Sequence, residues 1–441
     1  MYQFRKLCLL ISIIAAIALV LGIFTGNLNL WQPAAVTLAV SLAIGIGALE
    51  SLKNYQYTAW IITAVVVGMI YPTAFLKWGS FDLRNKWLIL VVVQFVMFGM
   101  GIQMGLKDFA GLANSGKGVI IGLLCHFSIM PLMGLLLVKV FHFETEIAAG
   151  IILIGSCSSG LASNVMVYIA RANLVLSVAV TAIATLIAPF MTPLLMKLLA
   201  GTLIEIKFFN MMMEIIKIVI VPIGAALVHD YLKRATPKGV STVKIISIAC
   251  MVWLAALYFG LWNILEQTFA NPEAMASVEI FSFFTGAFLV GVVYHLITLK
   301  IKKLDDIMPY ISMFGIVYFT TVTTAAGREN LLKVGFLLFL ASVIHNGAGY
   351  LFGYILSRVF GLDKKSSRTV AFEVGLQNGG MASGLAGSMG KLGTVGLAAA
   401  VFSPWMNISG SILANYWRRQ ALKEEENETK NKSQTDEKNN S

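Results

Sequence analysis

The sequence predicts an all-α polytopic membrane protein, and three observations predict it. Of its 441 residues, 58% are hydrophobic and only 12% charged, against roughly 25% charged in an average soluble domain. Apolar runs of about 20 residues, the length that crosses a bilayer as helix, recur along almost the whole chain. The basic residues behind the net charge of +11 fall in short clusters between those runs. That placement fits the basic bias of cytoplasmic loops better than a nucleic-acid surface. Cys8, Cys125, Cys157 and Cys250 all sit inside apolar runs, with no CxxC or Cys/His spacing. Neither a disulfide framework nor a zinc site is expected.

In chain order, fourteen spans fall at about 7–25, 33–51, 57–77, 86–106, 117–141, 146–170, 173–199, 208–231, 242–265, 278–299, 308–327, 334–359, 368–390 and 395–417. The first follows Arg5 and Lys6, as the core of a signal peptide would. Its run from Leu7 to Phe24 is long and lacks a small-residue cleavage site, so it is read as a retained helix. Trp253, Tyr258 and Trp262 lie at one end of the ninth span, as an interfacial aromatic anchor does. His295 in the tenth is read as structural. Residues 418–441, opened by Arg418 and Arg419, turn to Lys, Glu, Asn and Ser. This segment is expected to be a disordered, charged cytoplasmic tail. With the N-terminus inside, 23 of the 33 Lys and Arg fall on the cytoplasmic side. The even span count then puts both termini there, and the expected location is the cell membrane.

The sixth span is not continuously apolar. Gly155, Ser158, Ser159 and Gly160 are poor helix-interior residues. A helix broken within lipid persists only where its freed backbone groups face protein, water or ions. The thirteenth span carries an echo: residues 159–163 read SGLAS and 379–383 read GGMAS, each beside an amide, Asn164 in one and Gln377 with Asn378 in the other. Paired broken helices at corresponding positions of two halves point to the binding site of a secondary transporter.

Glu373 lies in the second of these spans. An ionised carboxylate at membrane depth costs roughly 3 kcal/mol or more and needs a partner; Arg368 or a bound cation are the alternatives. Ser177 and Thr181, at i and i+4, place two hydroxyls on one helix face. Ser163 and Asn164 add oxygens beside the first break, whose carbonyls are expected to be partly free. Neutral oxygens with a single negative charge suit sodium, since hard divalent ions usually recruit more carboxylates.

These residues resemble the signatures of the bile acid:sodium symporter family, in its bacterial branch. Ser163-Asn164-Val165-Met166, Ala170-Arg171, Leu176-Ser177-Val178, Thr181, Ala182, Thr185 and Ala188-Pro189 form one; Glu373-Val374-Gly375-Leu376-Gln377-Asn378 forms the other. Met97-Phe98-Gly99-Met100-Gly101 with Lys107-Asp108-Phe109 is similar more loosely, as are Phe127–Pro131, His345–Tyr350 and Trp405–Gly410. The resemblance covers roughly 57–231 and 305–417. It implies a ten-helix core of two inverted five-helix repeats with two crossed broken helices, plus about four extra helices.

On that plan the extra N-terminal pair is 1–56 and the first repeat is 57–204. The first helix of the second repeat is 205–234, the inserted pair is 235–304, and the remainder of the second repeat is 305–417. The resemblance also implies two sodium sites. The first would use Ser163, Asn164, Ser177, Thr181 and Glu373. The second would use Glu373, Val374, Leu376 and Gln377, with His126 standing where the family commonly has Gln. A ring nitrogen is a poorer sodium ligand than an oxygen, and His126 can also titrate. Cys157-Ser158-Ser159-Gly160 replaces the usual CPGG. Leu161 and Met406 replace a common Thr and His that would border the substrate, so bile acid is not carried over.

The function expected is sodium-coupled symport of a small or amphipathic organic anion by alternating access. The half-helices starting near Gly160 and Gly380 would aim free amides at the anion, oriented by Asn378 and Asn407. The partners expected are the anion, sodium and the lipid bilayer, with no nucleic acid and no cofactor beyond the coupling ions. A proton-coupled or uncoupled organic anion carrier of the same fold is one alternative. An intramembrane enzyme is a remote one, since no HExxH occurs and nothing pairs a His with a particular Ser.

Overall fold

A computed structural model describes residues 2–50, 52, 55–105, 116–269 and 271–439. The helices are α1 (Tyr2–Phe24), α2 (Leu28–Gly45), α3 (Gln56–Ile70), α4 (Lys86–Ile102), α5 (Gly116–Phe141), α6 (Thr145–Ser156), α7 (Ala162–Ile169) and α8 (Leu174–Ala200). Then follow α9 (Phe208–Ile215), α10 (Val221–Lys233), α11 (Pro237–Ala256), α12 (Trp262–Thr268) and α13 (Pro272–Lys300). The last are α14 (Leu304–Ala326), α15 (Arg328–Val359), α16 (Lys364–Gly375), α17 (Gly379–Ser388) and α18 (Val395–Asn439). A π turn at Ile216–Ile220 joins α9 to α10, and another, with Gly260 at φ 112°, joins α11 to α12. A short hairpin pairs β1 (Lys77–Trp78) with β2 (Phe81–Asp82).

Among the described residues, ten helical segments are long and apolar enough to cross a membrane, counting each π-linked pair as one, and α3, α4 and α6 are shorter apolar helices. Side-chain caps set several starts. Asn27, Asn85, Asn173, Asp363 and Asn378 each accept a backbone N–H from the first turn they precede. The cap at Asn27 places α2 several residues before the expected start at 33. The third span ends at Ile70, because Pro72 turns the chain into the hairpin segment. Lys107, Asp108 and Phe109 lie outside the described residues.

The tail differs from its reading. Residues 418–439, expected not to fold, continue α18. The segment is rich in Glu and Lys, which are good helix formers, and a helix needs no apolar face where it prolongs an already nucleated one.

The main core is built from α4 to α10 and α14 to α18. At its centre lie α6, buried from Ile147 to Ser156, and α16, buried from Ser366 to Gly375. The first helix packs on α2, which packs on α3, while α11 packs on α13, which packs on α10. Connections alternate between two faces. A polar cavity of about 530 Å³ on one face gathers Arg84, Glu146, Asn330 and Lys391, from the connections after the third, fifth, eleventh and thirteenth spans. Lys391 pairs with Glu146 there. The Arg84 guanidinium beside Asp82 holds that carboxyl down to about 2. Four other connections meet in pairs. Asn173 bonds Thr369 and Ser366, and Lys233 Nζ lies 2.5 Å from Asp305.

Candidate functional site

Both broken spans begin with a helix of 12 residues, α6 and α16. Each first half therefore runs about 18 Å before it stops. Since α6 starts on the hairpin face and α16 on the other, the two breaks meet between the faces. There they are joined by backbone. Gly160 N–H donates to Leu376 O at 3.0 Å and Asn378 N–H to Ser158 O at 2.8 Å, around an antiparallel bridge between Ser159 and Gln377. Gly160 is required at this approach, because a Cβ on it would lie 2.7 Å from Gln377 O.

Most of the carbonyls expected to be partly free at the breaks are paired with protein donors. Ser156 O accepts from Thr192 Oγ1 at 2.7 Å, and Val374 O from Gln377 Nε2 at 2.7 Å. Gly375 O accepts from Asn346 Nδ2 at 2.8 Å, and Leu376 O also lies 3.3 Å from Ser159 Oγ. Cys157 O and Glu373 O each lie 2.9 Å from a ring nitrogen of His126, Nε2 and Nδ1 respectively; a neutral imidazole carries one N–H and donates to one of the two. Orphan carbonyls are costly in a buried helix end, and polar side chains from α5, α8 and α15 satisfy most of these.

The residues of the first proposed cation set come together. Ser177 Oγ lies 2.5 Å from Glu373 Oε1 and 2.7 Å from Asn164 Oδ1. Thr181 Oγ1 lies 2.8 Å from Glu373 Oε2, and 3.4 Å from both Asn164 Oδ1 and Ser163 Oγ. Ser163, Ser177, Thr181 and Glu373 are essentially inaccessible, at 0 to 1% exposure. Ser159 joins them, with Oγ 3.3 Å from Ser163 Oγ. In the sequence Ser159 marks the break, and its place four residues before Ser163, across the turn, is the signal for this second position. Arg368 is not the partner of Glu373, since its Nη2 goes to Gln420 and Glu424 of α18. Among the described residues no basic side chain pairs with Glu373.

Proton counting describes what this cluster can do. The Ser163 hydroxyl donates to Gly160 O at 2.8 Å. One proton on Ser177 faces both Asn164 Oδ1 and Glu373 Oε1, and one on Thr181 faces Glu373 Oε2. Oxygen lone pairs exceed the protons available to them, around a carboxylate in a low-dielectric interior. A small cation fits that imbalance.

The second set, Glu373, Val374, Leu376, Gln377 and His126, is also contiguous. Its carbonyls carry the donors named above. Gln377 Oε1 is its one buried side-chain oxygen with no hydrogen-bond partner.

Beside the breaks lies a cavity of about 300 Å³, lined by Gly160, Leu161, Asn378, Met406 and Asn407 among others. Its described lining contains no Asp, Glu, Lys, Arg or His. Tyr55, Gln103, Pro309 and Ser411 place its far side toward the face opposite the hairpin. Asn378 uses Oδ1 to cap α17 at Met381 N, 3.0 Å away, which leaves its buried Nδ2 without a partner. Asn407 Nδ2 donates to Ser403 O at 2.8 Å, so it is the less available of the two amides.

A profile of the sodium bile acid symporter family matches residues 90–268. The chain is 31% identical over 381 residues to the "Uncharacterized sodium-dependent transporter YocS" of Bacillus subtilis, covering 86% of this chain and 96% of that protein. It is 28% identical over 369 residues to the "Probable sodium/metabolite cotransporter BASS1, chloroplastic" of Arabidopsis thaliana, covering 83% and 74%. To the human "Ileal sodium/bile acid cotransporter" it is 26% identical over 297 residues, 66% of each chain.

Proposed function

This chain belongs to the sodium bile acid symporter family, a family of multi-pass membrane transporters, and from that premise we propose that it is a sodium-coupled symporter of a small or amphipathic organic anion. The observation that carries the reading is the Glu373 cluster: a buried carboxylate, four neutral oxygens from Ser163, Asn164, Ser177 and Thr181, and, among the described residues, no basic partner. Membership in a transporter family sets aside the intramembrane enzyme. The names of relatives that include "sodium-dependent" and "sodium/metabolite cotransporter" support the choice of ion.

The fold proposed for this work is two inverted five-helix repeats, 57–204 and 205–234 with 305–417, flanked by the pairs 1–56 and 235–304. Equal first half-helices entering from opposite faces support it. Sodium at the first set neutralises Glu373 and ties α7 and α8 to α16. The starts of α7 and α17 flank the 300 Å³ cavity, where backbone amides and the free Nδ2 of Asn378 favour a carboxylate or similar group. Gly160, Leu161, Met406 and Asn407 complete its wall. Because sodium orders the crossing on which these amides stand, sodium and anion strengthen each other's binding. Rocking of one helix group against the other exposes the cavity to each side in turn.

The second set is read as contributing less. With His126 between two helix-end carbonyls and Val374 O accepting from Gln377, Gln377 Oε1 is the one side-chain oxygen of this set without a hydrogen-bond partner. One sodium per cycle is therefore the expected stoichiometry. The cell membrane, with both termini cytoplasmic, is the proposed location, on the charge of the connections.

Transport in proteoliposomes with and without a sodium gradient tests the central claim. Sodium should raise anion affinity; equal affinity in sodium and in a large inert cation would leave the proton-coupled or uncoupled carrier of the same fold.

A further inference from the structure

The inserted helices enclose more than they fill. A cavity of about 930 Å³ lies between α4, α10, α13 and α14. Its wall is aromatic and aliphatic, with Trp87, Phe95, Phe98 and Phe283 among its residues. Along α13 it runs from Glu279 to Tyr294, about 22 Å of helix rise. That exceeds the roughly 15 Å of hydrocarbon in one leaflet of a bilayer. Trp87 and Phe95 are 72% and 54% exposed, so the cavity opens to the side, where a membrane-spanning chain meets lipid. Apolar cavities do not hold water well.

At the Glu279 end a second cavity, of about 330 Å³, shares Trp87, Phe283 and Glu279 with the first. It is charged, with Lys86, Glu214 and Lys217 in its wall. Lys217 Nζ lies 2.7 Å from Glu214 and 3.1 Å from Glu279, and its side chain is only 13% exposed. Lys86 makes no ion pair among the described residues. Two cations and two anions thus stand at the mouth of a long apolar slot.

We propose that the joined cavities are a binding site for one zwitterionic phospholipid. An acyl chain lies along α13 between Glu279 and Tyr294. The headgroup occupies the smaller cavity, with its phosphate toward Lys86 and its ammonium toward Glu279. A net-anionic headgroup of the same size sets no positive charge against Glu214 and Glu279, so the site discriminates by charge pattern.

Gly286 supplies the test. It lines the larger cavity, and a Cβ built on it meets nothing within 4 Å. Gly286→Phe therefore fills the slot without pressing on backbone, and removes a glycine from a helix interior. The full chain is purified in mild detergent, delipidated and titrated with phosphatidylethanolamine or phosphatidylglycerol, with bound lipid counted by native mass spectrometry. The wild type should hold one phosphatidylethanolamine, at least ten-fold tighter than phosphatidylglycerol. Gly286→Phe should lose at least ten-fold in that affinity, with a lipid-free melting temperature no lower than wild type. Glu279→Gln should keep a bound lipid and lose the preference between the two headgroups.

No lipid on the wild type overturns the proposal, as does equal retention by a folded Gly286→Phe. A protein dimer that Gly286→Phe dissolves also overturns it, because a second copy is then the occupant. If Gly286→Phe fails to fold, Glu279→Gln decides, and an unchanged headgroup preference rejects the site.

Discussion

Glu373→Gln keeps the size of the side chain and removes its charge, which isolates the cation's contribution. Losing one partner of a buried charge pair costs about 3 kcal/mol or more, so sodium affinity should fall roughly 100-fold. Sodium-stimulated anion uptake should fall with it; intact sodium dependence would show the ligand assignment to be wrong. Asn378→Asp retains the Oδ cap on α17 but exchanges the free amide for a carboxyl group. Anion binding should drop about 10-fold or more, the scale of a lost hydrogen bond to a charged group, while sodium binding without anion stays near wild type. Calorimetry of each ligand alone separates the two. At His126 the readout is cooperativity: the wild type should respond to sodium with a slope near one, and His126→Gln should steepen it. A slope near two in the wild type would return the second set to full standing.

At the scale of helices, the junction of the two breaks is what must be perturbed. Gly160→Ala places a methyl group 2.7 Å from Gln377 O, which drives the bridge between Ser159 and Gln377 apart. Sodium and anion affinity should then fall together, since both proposed sites adjoin that bridge. A variant that lost only one of them would mean the two are not coupled through the junction. The presence of a break was readable from Gly155, Ser158, Ser159 and Gly160, because those residue types are poor in helix interiors whatever surrounds them. How its carbonyls are satisfied was not readable. Thr192, His126 and Asn346 lie on α8, α5 and α15, and nothing in their local sequence marks them as donors to a helix end far along the chain.

For the molecule as a whole, α18 extends the core into a polar helix whose near part holds buried charge. Arg368, 0% exposed, donates to Gln420 and lies 3.4 Å from Glu424, which also pairs with Lys364. Truncation after Glu424 should leave stability and transport unchanged. Truncation after Trp417 strips the partners from a buried guanidinium and should lower the melting temperature, read by thermal shift in detergent. Equal melting temperatures for the two truncations would show that Arg368 is satisfied without α18.

The amino-acid sequence by itself determined the class of the protein, its approximate spans, the two breaks and the residues that gather around Glu373. Hydrophobic runs, glycine and serine placement and an intramembrane carboxylate are local signals, and each carries its physical cost wherever the chain goes. Tertiary structure alone decided which partner Glu373 has, because Arg368 is near in sequence yet turned to α18. It decided that most break carbonyls are paired, that Ser159 joins the oxygen cluster, and that Asn378 rather than Asn407 has a free donor. It also revealed the slot along α13. These are matters of which side chains from distant segments share a volume, and hydrogen-bond partnership across some two hundred residues leaves no mark in either segment alone.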